Sequence, residues 1–67
     1  MSQANVLGII GGGQLGSMLC QAANKVNIKT VIYCDDKNAP AQNFSDQFIN
    51  SSYENINKIT EFSNLVD

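Results

Sequence analysis

Apolar residues fall in blocks separated by polar or glycine-rich breaks, and the blocks differ in period. Val6-Leu7-Gly8-Ile9-Ile10 is a near-continuous apolar run, the pattern of a parallel strand covered on both faces. It stops at Gly11-Gly12-Gly13. Beyond the glycines, Leu15, Met18, Leu19, Ala22, Ala23 and Val26 recur at helical spacing. That stripe predicts a helix over 14–26 whose apolar face, Met18 included, fills a core. Asn27 suits the left-handed residue that ends such a helix. Lys29-Thr30-Val31-Ile32-Tyr33-Cys34 then reads as a second strand rich in β-branched residues.

The second half repeats the alternation more weakly. Asp35 to Pro40 is a polar turn, and Pro40 suits the first position of a short helix over 40–44. Gln47-Phe48-Ile49-Asn50 predicts a short third strand. Ser51 and Glu54 have capping-box spacing, with Asn55 a competing cap. Ile56, Ile59, Phe62 and Val66 mark an amphipathic helix to about residue 65. Strand, helix and strand within about 30 residues make a right-handed βαβ unit with parallel strands. The expected fold is therefore α/β: a three-stranded parallel sheet in the order 2-1-3 with helices on both faces. The alternation breaks off where another strand is due, which points to the start of a larger protein.

The chemistry concentrates at the first break. Gly11, Gly13 and Gly16 stand in G-x-G-x-x-G spacing between a strand and a helix. The first glycine allows a reversal with φ > 0, the second lets an anion approach the backbone, and the third lets the helix pack close to the strand. The helix N-terminus then offers free N–H groups and a partial positive charge to a phosphate or carboxylate. At ordinary glycine frequency the pattern arises by chance at about one position in 3,000. The alternative reading is a glycine turn that packs the βα unit and binds nothing.

Composition narrows the partners. A chain of 67 residues makes one small domain at most. Net charge is −2, and the four basic residues, Lys25, Lys29, Lys37 and Lys58, are scattered. No basic patch results, so neither nucleic acid nor an anionic membrane is an expected partner. No apolar run approaches the ~20 residues of a membrane span, and the N-terminus lacks the regions of a signal peptide. The two cysteines, Cys20 and Cys34, are too few for a disulfide scaffold, and there is no histidine or metal-ligand spacing. A reduced, cytoplasmic protein is the expectation.

The run from Val6 to Leu19, with Gly11-Gly12-Gly13-Gln14-Leu15-Gly16 at its centre, strongly resembles the opening of the N5-carboxyaminoimidazole ribonucleotide synthetases. These are ATP-grasp enzymes of purine synthesis, the ATPase subunit of phosphoribosylaminoimidazole carboxylase. Asp36-Lys37-Asn38-Ala39-Pro40-Ala41 with Asp46 further on, and Tyr53, Phe62 and Val66-Asp67, continue the likeness. Residues 1–67 would be the N-terminal part of a Rossmann-like, substrate-binding pre-ATP-grasp domain, about the first fifth of such an enzyme. The chain departs from the family at Ser17, usually arginine, and at Cys34, where many relatives have aspartate. The acid here comes one residue later, at Asp35, which a continuing strand would turn to the other face.

The resemblance implies an ATP-dependent ligase. ATP phosphorylates bicarbonate to carboxyphosphate, and the exocyclic amine of 5-aminoimidazole ribonucleotide captures the carboxyl group. ATP and Mg²⁺ would be held by the ATP-grasp domain, which is absent from this chain, so no catalytic and no metal-binding residue is expected here and the 67 residues alone would be inactive. This part would form one wall of the substrate pocket, with Gly12, Gly13, Gln14 and Leu15 facing the ribonucleotide and Gly11 and Gly16 shaping the loop. Gln14 can donate and accept, which suits a neutral polar group or a phosphate; a solvated first-turn glutamine is the bland alternative. The full-length family tends to form homodimers. The rivals are another ATP-grasp enzyme, of the glycinamide ribonucleotide transformylase or biotin carboxylase type, the first half of an NAD(P)-binding oxidoreductase domain, and a non-catalytic nucleotide-sensing module. The transformylase favours an acid in place of Gln14, and the oxidoreductase wants an acid at the end of the second strand, where Cys34 stands.

Overall fold

The computed structural model describes residues 5–66. Residues 1–4 and Asp67 lie outside the described residues, and with them the reading of the N-terminus and the Asp67 part of the resemblance. The elements are β1 (Val6–Ile10), α1 (Gln14–Lys25), β2 (Lys29–Cys34), a 3-10 turn (Pro40–Asn43), β3 (Gln47–Asn50) and α2 (Ile56–Leu65). The three strands fall where the hydrophobic pattern puts them. α1 stops at Lys25, and Asn27, at φ 62°, supplies the left-handed residue beyond it. Asn55 wins the competition to cap α2, its side-chain oxygen accepting from the Lys58 amide at 3.1 Å, and the Ser51–Glu54 box does not form. The Glu54 amide donates instead to Ser52 Oγ at 3.0 Å.

All three strands are parallel, but their order is β1-β2-β3, not 2-1-3. Val6 to Ile10 lie opposite Lys29 to Tyr33, and the other edge of β2 pairs Val31 with Gln47 through Cys34 with Asn50. Asp46 fixes this choice. Its carboxylate accepts from the Thr30 amide at 2.8 Å while its own amide donates to the Thr30 carbonyl at 3.1 Å, so β3 is tied to β2 at its first residue. β2 is the strand fit for the centre, because Thr30 to Cys34 are all buried. From the sequence, β1 looked equally apolar, and nothing local separated the two.

Each face of the sheet carries its own core. On one, Ile9, Ile32 and Cys34 pack with Cys20 of α1 and with Ala39 and Ala41 of the connection to β3. On the other, Val31 and Tyr33 pack with Phe62 of α2, and Ile59 and Val66 lie at the margin. Tyr33 meets Phe62 edge-on at a centroid distance of 5.6 Å, and its hydroxyl donates to the Ser52 carbonyl at 2.5 Å. Burying such a side chain contributes about 1.5–3 kcal/mol, and the hydroxyl is satisfied rather than stranded.

Two expectations about coverage fail. β1 is not covered on both faces: it lies at one end of the strand order, Leu7 is exposed, and Ile10 is 68 % exposed. The face that α1 turns to the sheet is Gly16, Ser17, Cys20 and Ala23. The Leu15-Met18-Leu19-Val26 stripe points away, with Met18 57 % exposed rather than filling the core. Small side chains let the helix axis approach the sheet, and the large ones are left outside. Periodicity identifies an apolar face but not what covers it.

Candidate functional site

The glycine loop leaves the carboxyl end of β1 and enters α1. Gly11 has φ +107°, the reversal that favours glycine, and its amide donates to the Tyr33 carbonyl at 2.7 Å. A Cβ on Gly16 would lie 2.7 Å from the Gly11 carbonyl oxygen, so this glycine brings helix and strand together. Gly12 is buried, and a Cβ there would meet the Ala39 Cβ at 2.7 Å and Cys34 Sγ at 3.2 Å. Gly13 differs from all three. It is the N-cap of α1 at φ −73°, it is exposed, and a Cβ built on it meets nothing within 4 Å.

The first bond of α1 runs from the Ser17 amide to the Gly13 carbonyl at 2.9 Å. The amides of Gln14, Leu15 and Gly16 precede it and belong to the unpaired first turn. No side chain caps this end, and the first turn holds no acid to compete for it. A hollow of about 310 Å³ opens there, lined among others by Ile10, Gly13, Gln14, Leu15 and Leu19. No charged side chain lines it, so the helix end supplies its local electrostatic character. Gln14 and Leu15 are both exposed at its rim. Of the residues expected to face a ligand, Gly13, Gln14 and Leu15 share this hollow, whereas the Gly12 α-carbon faces the protein interior.

Ser17 is buried against the sheet, where its hydroxyl accepts from Gln21 Nε2 at 3.3 Å. Cys34, the last residue of β2, is buried beneath Gly12, and the acid that follows it, Asp35, is exposed. Tyr53 lies tilted beside Tyr33 at a centroid distance of 5.9 Å; desolvation and then the Cys34 thiol push its phenol above the ordinary value. Both cysteines are free thiols. Asp46 lies at the far end of the sheet from the glycine loop, holding strands together. Ala39 and Ala41 are contacts that the pattern did not reveal. The one available signal was a pair of alanines flanking a proline in an otherwise polar turn.

A strand, a glycine loop at the carboxyl end of the sheet, a helix and a second parallel strand define a βαβ unit of Rossmann type. Residues 4–67 match the ribonucleotide synthetase pre-ATP-grasp domain. The chain belongs to that family, and its relatives are N5-carboxyaminoimidazole ribonucleotide synthetases. It is 46 % identical over 63 residues to phosphoribosylaminoimidazole carboxylase of Saccharomyces cerevisiae, spanning 87 % of this chain and 11 % of the relative. It is 36 % identical over 63 residues to N5-carboxyaminoimidazole ribonucleotide synthase of Staphylococcus epidermidis, spanning 90 % of this chain and 17 % of the relative. The crystal structure of the Staphylococcus aureus N5-carboxyaminoimidazole synthetase superposes on the whole chain with a TM-score of 0.92 at 30 % identity, and the match takes up 18 % of that chain. The same synthetase has been crystallised with ADP. The chain therefore spans between a tenth and a fifth of the length of these relatives.

Proposed function

We propose that this chain is the opening, ribonucleotide-facing part of an ATP-dependent ligase of purine synthesis that carboxylates 5-aminoimidazole ribonucleotide with bicarbonate. Residues 1–67 form the N-terminal part of its substrate-binding domain, and the longer enzyme works as a cytoplasmic homodimer. ATP and Mg²⁺ belong to a part of the enzyme outside this chain. Among the described residues no group of three or more His, Cys, Asp or Glu side chains stands together. Lys25 and Lys29 lie at the opposite end of the sheet from the glycine loop, and Lys37, in the turn after β2, is exposed and does not line the hollow. These residues do not fit a nucleoside triphosphate with its metal.

What this part contributes is binding. Backbone amides at Gly13, Gln14 and Leu15 are placed to receive the phosphate or ribose of the ribonucleotide, with Gln14 offering its amide group beside them. The observation that carries the reading is Gly13. Its φ is negative and a Cβ there would meet nothing within 4 Å, so neither backbone conformation nor packing makes it glycine. Beyond the modest preference for glycine at an N-cap, close approach of a ligand is the physical reason that accounts for it.

Gly13→Ala in the longer enzyme tests this. A Cβ at the mouth of the hollow would hold a ligand oxygen beyond hydrogen-bond range of the amides. Losing one or two bonds to a charged group amounts to about 1.5–3 kcal/mol each, a ten- to more than hundredfold rise in the ribonucleotide KM. The KM for ATP is expected to stay within about twofold. An unchanged ribonucleotide KM in folded enzyme would leave the loop purely structural.

A further inference from the structure

The glycine loop has two unlike flanks. Toward Ile10 of β1 it opens on the hollow at Gly13. Toward β2 it is sealed, and the seal is the segment Ala39-Pro40-Ala41. Ala39 is 4 % exposed, and its methyl group lies against Gly12 so closely that a Cβ on Gly12 would sit 2.7 Å from it. Ala41 is fully buried, its amide donates to the Gly12 carbonyl at 3.0 Å, and its Cβ would be 3.6 Å from one on Gly16. The segment is itself held: the Asp36 carboxylate accepts from the Asn38 amide at 2.9 Å, and the Ala39 amide donates to the Asp36 carbonyl at 3.2 Å. Pro40 then fixes φ at the first position of the 3-10 turn.

Gly12 is thus gripped through both its α-carbon and its carbonyl, and the peptide that follows carries the Gly13 amide. We infer that Ala39 and Ala41 are positioning residues for ligand binding: they set the Gly12–Gly13 peptide, and through it the aim of the unpaired amides of α1. The same contacts cover the β2 flank of Gly12, where a dinucleotide would place its adenosine ribose, and the hollow opens on the Gly13 side. This rests on the reading of the loop as ribonucleotide-facing. Ala39 is buried against Gly12, so a bulkier, β-branched side chain at 39 presses on Gly12 and moves it toward the hollow.

The test is steady-state kinetics on the longer enzyme with Ala39→Val, Ala39→Gly and Ala39→Ser, and Gly13→Ala as reference. Ala39→Val is expected to raise the ribonucleotide KM by about tenfold or more, with the ATP KM within about twofold. Ala39→Gly, which removes the grip without adding bulk and keeps the measurement possible if the valine enzyme does not fold, is expected to raise it severalfold. Ala39→Ser, nearly the same size, is expected to restore the wild-type KM. A role confined to stability would lower the melting temperature and leave both KM values alone. Silent Ala39 variants beside an impaired Gly13→Ala enzyme overturn the positioning role by itself. If Gly13→Ala is silent as well, the ribonucleotide reading falls and the positioning role falls with it.

Discussion

A methyl group added at Gly16 would lie 2.7 Å from a backbone oxygen, that of Gly11, which has no flexible end to move aside. At Gly13 the same methyl group meets open space. Gly16→Ala is therefore expected to cost about 1–3 kcal/mol of stability through overpacking. Gly13→Ala should cost no more than about 1 kcal/mol, from alanine being a poorer N-cap. Urea unfolding of the chain, followed by far-UV circular dichroism, checks the ranking; equal midpoints would mean that α1 shifts freely along the sheet. The sequence spacing was enough to place Gly11 and Gly16, because their roles depend on neighbours a few residues away. Gly12 was not legible. Its glycine is required by Ala39 and Cys34, which only the tertiary fold brings to it.

At the scale of elements, boundaries were easier to read than neighbours. β1, β2 and β3 sit where the apolar runs place them, since each run is bounded by glycine, asparagine or proline. The order of the strands and the buried face of α1 were not readable, because both depend on side chains distant in sequence: Asp46 on Thr30, and the small face of α1 on Ile9 and Ile32. Asp46 carries a testable share of that arrangement. Asp46→Ala removes the acceptor of the Thr30 amide and is expected to destabilise the chain by about 1–3 kcal/mol. Hydrogen exchange should show the loss first at Thr30 and along β3. Uniform loss of protection across all three strands would mean that β3 is not separately anchored.

The whole molecule has two unlike faces. Both connections before β3 lie on one face of the sheet, stepping from β1 to β2 to β3, and α2 returns on the other face, with Phe62 and Val66 reaching Gly8 of β1. A further parallel strand reached by a crossover of the same hand would step back to the β1 side of the sheet. The glycine loop would then sit at the topological switch point, where α/β sheets bind ligands. Nothing in the described residues gathers an acid cluster for metal, and the purified 67-residue chain is expected to turn over no ATP. An ATPase assay checks this, and turnover that persists through a second, different purification would show that the chemistry lies in this chain after all. The pairing of β1 also has a consequence for biosynthesis. A ribosome adds about 5–20 residues per second. β1 is translated before β2, the strand whose Lys29 to Tyr33 lie opposite it. For the seconds between them its apolar run has no sheet to join, and a nascent-chain chaperone would find its reason to bind at Leu7 to Ile10.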